Sequence, residues 1–116
     1  MRYMFLIYDD PTTWPTDPSA AGALFAEYGA FTQDAVDKGV MVAGDPLHGV
    51  DTATTVRMRR GERLAVDGPF METKEHLGGY YILDVADLDA AIEWAGRIPT
   101  ARTGSIEVRP IMETGG

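Results

Sequence analysis

The chain has no cysteine and no asparagine, and only two histidines and two lysines. Without cysteine there is no disulfide framework, no thiolate zinc site and no cysteine nucleophile, so the fold must stand on packing, and a reducing cytoplasm fits best. Without asparagine there is no N-glycosylation acceptor. Long apolar runs are missing as well. Hydrophobic residues make up 45% and charged residues 24%, a globular composition too interrupted by charge for a membrane span. The opening run Arg2 to Tyr8 is too short in apolar residues for a secretory signal and reads as a strand. Positive charge is scarce: ten Lys and Arg stand against eighteen Asp and Glu, a net −8 that repels phosphate backbones and acidic membrane surfaces. Neither G-x-G-x-x-G nor G-K-[ST] occurs, so nucleotide binding has no cue. At 116 residues without internal repeats, the expectation is one domain over 1–116, binding neither nucleic acid nor membrane.

What is present alternates between two periods. Arg2 to Tyr8 predicts a central strand buried on both faces or nearly so, ended by Asp9-Asp10-Pro11. Asp17 and Pro18 supply an N-cap and an N1 proline for a helix in which Leu24, Tyr28, Phe31 and Ala35 recur at helical spacing up to Gly39. Gly22 and Gly29 weaken that helix, and close approach to another backbone is one reason to keep them. Val40 to Ala43 predicts a second strand. Thr54, Val56 and Met58 alternate with Thr55, Arg57 and Arg59, turn at Arg60-Gly61, and resume through Leu64 and Val66 as a hairpin. Gly79 to Val85 is a strongly apolar strand. Asp87 then caps a second helix with the stripe Leu88, Ala91, Ile92 and Ala95, and Ile106 and Val108 mark a last strand.

Two strand-helix-strand units make an α+β, ferredoxin-like two-layer sandwich the economical topology, with the Thr54 to Val66 hairpin as an insertion. Helices cover one sheet face in such a sandwich, so the other must meet solvent, a ligand or a second copy, and the apolar strands argue for the copy.

The run from Asp67 to Tyr81, DGPFMETKEHLGGYY, resembles the DGPF signature of the YCII-related family. Asp67, Gly68, Pro69, Phe70, Glu72, Thr73, Lys74, Gly78 and Gly79 all match it. Tyr28-Gly29-Ala30-Phe31-Thr32, Thr54-Thr55-Val56-Arg57, Ala91 to Ala95 and Ser105 to Ile111 also look like that family, so the resemblance spans nearly the whole chain. It implies a ferredoxin-like protomer that dimerises through its sheets as a dimeric α+β barrel. It implies no known reaction. Some relatives outside the DGPF branch carry a histidine on the first helix, proposed to work with an aspartate. The matching helix here offers Tyr28 and no histidine, so that dyad is not carried over. DGPF-type proteins are often encoded beside extracytoplasmic-function sigma factors, which implies a regulatory accessory role as the alternative to catalysis.

Chemically, the signature joins a tight Asp-Gly-Pro turn to Phe70, expected to be buried, and then gathers Glu72, Lys74, Glu75 and His76 within five residues. A Glu–Lys pair near buried aromatics supports proton transfer, and a lysine there holds an anion. Asp67 or Glu72 is the candidate general base, Lys74 the partner of a developing oxyanion, Tyr28 the candidate acid, Arg109 an outlying anion clamp, and Tyr8 a second ligand-facing tyrosine. The opposing reading makes the turn structural and the charges solvated. His48 and His76 stand twenty-eight residues apart, and Glu72 to His76 lacks the H-x-x-E-H register, so no metal ligands and no cofactor are assigned. Arg57, Arg59, Arg60 and Arg63 crowd onto the hairpin, and without the aromatic interleaving of a nucleic-acid ribbon they read as a solvated hairpin or a salt-bridged dimer contact. Trp14, in the Pro-rich loop, reads as a loop anchor or as a lid or dimer contact. The combined expectation is a cytoplasmic homodimer that binds a small polar or anionic molecule.

Overall fold

A computed structural model describes residues 1–115, leaving the last residue of the expected domain outside. Strands β1 (Arg2–Asp9), β2 (Met41–Pro46), β5 (His76–Asp84) and β6 (Ser105–Pro110) form one sheet in the order β2-β5-β1-β6, every neighbour antiparallel. Helices α1 (Pro18–Asp37) and α2 (Leu88–Arg97) cover one face, which is the ferredoxin-like sandwich. Strands β3 (Thr54–Arg59) and β4 (Glu62–Asp67) pair only with each other, as the inserted hairpin.

The capping residues act as the sequence predicts. Asp17 accepts from the Ala20 amide and Asp87 from the Ala90 amide, and Gly39, at φ +73°, ends α1. Gly22 and Gly29 have open space around them, so close packing is not their reason, and the start of α1 stands exposed around Gly22. The core lies between sheet and helices: Phe5, Leu83 and Ile98 are fully enclosed, and Phe31 of α1 meets Tyr81 at 5.0 Å and Trp94 edge-on at 5.7 Å.

β1 is central, as expected, yet it is buried on one face only. Tyr3, Phe5 and Ile7 point into the core, while Met4, Leu6 and Tyr8 lie half-exposed on the face that no helix covers. Phe70 departs further from expectation, at 71% exposure, because the hairpin and the turn after it project from the sandwich instead of packing on it. Gly68, at φ +103°, makes that turn.

One irregularity positions the site. Ile7 pairs with Gly79 and Tyr8 with Leu77, so Gly78 is an extra residue in β5, a β-bulge. Strict alternation from Gly79 would set Leu77 opposite Asp9, on the core side. The bulge sets His76 there instead.

Candidate functional site

At the C-terminal end of β1 the chain turns sharply. Asp10 accepts from the Thr12 amide at 2.9 Å and the Thr12 hydroxyl at 2.8 Å, capping a single 3-10 turn over Pro11–Thr13. Those two bonds, with Lys74 and His76 adding smaller electrostatic support, hold the Asp10 carboxyl below its ordinary pKa. The turn folds Trp14 back, and its indole N–H donates to Asp9 Oδ2 at 2.6 Å, so Trp14 anchors the loop through a charge-assisted bond.

Asp9 is the centre of this end. Its other oxygen, Oδ1, is buried and has no hydrogen-bond partner. Directly across the ladder stands His76, whose Nδ1 is buried and equally unpartnered. Cβ atoms of such opposed residues lie about 4.5–5.5 Å apart. His76 Nε2 sits 2.7 Å from the Thr73 carbonyl oxygen, which can only accept, so Nε2 carries a proton. In the neutral ring Nδ1 is then an acceptor, so each of these two strand partners buries an acceptor that has no donor.

The walls come from several elements. Gly104 lets the chain pass, since a Cβ there would come within 2.2 Å of the Tyr8 carbonyl oxygen and 3.1 Å of Asp9 Cβ. Tyr28 of α1 bonds the Thr100 hydroxyl, and burial pushes its phenol above the ordinary value, with Tyr81 and Asp9 adding to the rise and the Thr100 bond opposing it. The Ser105 hydroxyl reaches both oxygens of Glu75 at 3.3 Å.

Of the residues singled out from sequence, Tyr28 is half-buried on α1 against Thr100, Lys74 is exposed on the loop before β5, and Tyr8 lies in the strand bulge, half-buried opposite Leu77. Asp67 sits at the base of the hairpin opposite Thr54, exposed, and Glu72 is exposed on the following loop. Arg109 pairs with Glu107 at 2.8 Å and stands opposite Met4, four residues along β1 from Tyr8. Tyr28 is thus the one half-buried member of the set besides Tyr8, while Lys74, Asp67, Glu72 and Arg109 stand exposed. Asp9 and Thr100 carry no sequence signal beyond ending a strand and following a proline. His76 belongs to the charged run that the sequence singles out, without a role of its own beyond that of a metal ligand not assigned. No histidine lies on α1, but a histidine and an aspartate stand opposite each other at two strand ends. Two shallow hollows of about 290 and 260 Å³ lie elsewhere, between α2 and β6 around Ile92 and Ile106, and beside α1 around Glu27 and Pro99.

The YCII-related domain model matches residues 1–114. An uncharacterised protein of Rhizobium meliloti strain 1021, R00369, is 34% identical, the match covering 96% of this chain and 92% of that protein. Among solved structures, 5-chloro-2-hydroxyhydroquinone dehydrochlorinase from Burkholderia phenoliruptrix AC1100, in complex with 2,5-dihydroxybenzoquinone, superposes with a TM-score of 0.58 at 14% identity. That match covers 99% of this chain and 97% of the other, a likeness of fold.

Proposed function

Since the chain belongs to the YCII-related family, we propose that it is a member of the DGPF branch and a cytoplasmic homodimer that binds a small hydroxyl-bearing molecule and moves a proton on it through Asp9 and His76. One observation carries the reading: Asp9 and His76 oppose each other across two strands, and each buries an acceptor, Oδ1 and Nδ1, that has no partner. An O–H of a ligand supplies one. His76 Nδ1 takes the proton, and the Asp9 carboxylate stabilises the resulting imidazolium while Trp14 and Thr73 hold the two groups in place. Tyr28 is a phenol, protonated at neutral pH even without the upward push of burial, so it can donate to the oxyanion left on the ligand. Lys74 adds positive charge at the rim. The solved relative that binds 2,5-dihydroxybenzoquinone supports a hydroxylated ring as the first ligand class to try.

The test is a thermal-shift screen of dihydroxybenzenes, hydroxyquinones and enolic acids, with ¹⁵N shifts of the His76 ring recorded for each hit. Binding should move the Nδ1 resonance and should be lost in His76→Gln with the fold intact. Hits that bind His76→Gln as they bind the parent would end the acid–base assignment, and a screen without hits would favour the regulatory accessory role.

A further inference from the structure

The β3–β4 hairpin is an unfinished structure. An isolated two-stranded hairpin is marginal in water, and this one is uncovered on both faces: Val56 and Met58 are exposed on one side, Leu64 and Val66 on the other. Among the described residues its hydrogen bonds run between its own strands and to the adjoining turn, where Thr55 donates to the Gly68 carbonyl at 2.8 Å. The whole chain shows the same incompleteness. Its radius of gyration is 16.3 Å and its extents are 48 × 45 × 18 Å, where a compact domain of this length has a radius of about 13.4 Å. Its surface is 8068 Å², and a compact monomer of this mass exposes about 6,200 Å². The excess of about 1,900 Å² is more than the roughly 800 Å² that each partner gives to a standard interface.

Charge names the partner. Residues 54 to 67 hold four arginines against Glu62 and Asp67, a net +2, while the whole chain carries −8, which leaves −10 on the remainder. A basic arm on an acidic body complements a second copy of that body. We infer that the β3–β4 hairpin is an exchanged arm: each protomer lays its hairpin on the body of a second copy, with Val56 and Met58 buried and the arginines facing the partner's carboxylates. The inference rests on the homodimer proposed above and goes beyond it, because dimerisation through the open sheet face requires no arm.

Sedimentation equilibrium at tens of micromolar tests both. The parent should sediment at twice the chain mass, while Val56→Lys with Met58→Lys, and separately Arg57→Glu with Arg63→Glu, should raise the dimer dissociation constant at least tenfold with unchanged circular dichroism. Added salt should weaken the parent dimer. As the chain has no cysteine, a fluorophore on Met58→Cys reports the arm alone and should be immobilised in the dimer. A parent dimer that tolerates both double variants and leaves the label mobile overturns the arm and leaves the sheet-face dimer standing. A monomeric parent overturns both.

Discussion

Two corners of this molecule are built from the same parts. At the seam between the helices, Asp34 accepts from Lys38 at 2.7 Å and from Arg97, and both cations lie over Trp94, at 5.8 and 4.4 Å from its ring centre. At the end of β1, Asp9 accepts from Trp14 and faces His76. Each corner has a carboxylate, a tryptophan and a basic group. In the first, each carboxylate oxygen has a partner; in the second, one carboxylate oxygen and one ring nitrogen have none. A closed set of this kind holds helices together and has nothing left to offer a ligand. An open one costs stability, since a buried polar group without a partner forfeits about 1–3 kcal/mol, and such a cost is characteristic of working sites.

That contrast can be broken by mutation. The largest effect belongs to the closed corner: Phe31→Ala, which removes the ring between Tyr81 and Trp94, should destabilise by about 3–5 kcal/mol in urea unfolding. A loss below about 1 kcal/mol would mean that the helices are held by something other than this stack. Asp9→Asn should be nearly silent in the same assay, within about 1 kcal/mol of the parent or above it. The amide oxygen keeps the Trp14 bond, and a neutral amide replaces a carboxylate whose other oxygen is buried without a partner. Ligand binding should be lost with it. If Asp9→Asn instead unfolds the protein, the corner is structural and the contrast fails.

The smallest effect is electrostatic. Bonds from Lys38 and then Arg97 hold the Asp34 pKa below its ordinary 3.8. A lowered folded pKa means that the unfolded chain binds the proton more readily, so the stability this group contributes is in place above pH 3.8 and is lost as pH falls below it. Asp34→Asn should flatten part of the acid limb of a melting-temperature profile, Asp10 and Glu113 accounting for further slope in the same direction. An unchanged limb would show that these exposed bonds add nothing.

Strand and helix periods were strong enough to reveal the sandwich from sequence, because Tyr3, Phe5 and Ile7, or Phe31 and Ala35, repeat with the side that must be buried. Phe70 misled for a related reason. Apolarity says that a side chain seeks cover without saying whose, and the cover for Phe70 is not in its own sandwich. The candidate site was half visible. Tyr28 and Lys74 are singled out by their chemistry, whereas Asp9 reads as a strand-ending aspartate like many others and stands out only by what fails to bond it. His76 was read as part of a charged loop because the charges before it hide the start of β5.

The bulge at Gly78 has a bearing on how relatives of this chain should be aligned. Which of two neighbours, Leu77 or His76, stands beside Asp9 is decided by one unit of chain length and by no side chain at all. A single insertion or deletion between His76 and Gly79 can therefore add or remove the histidine from the inner surface while every aligned letter stays the same, so a gap placed one column away misassigns the chemistry of the protein it describes.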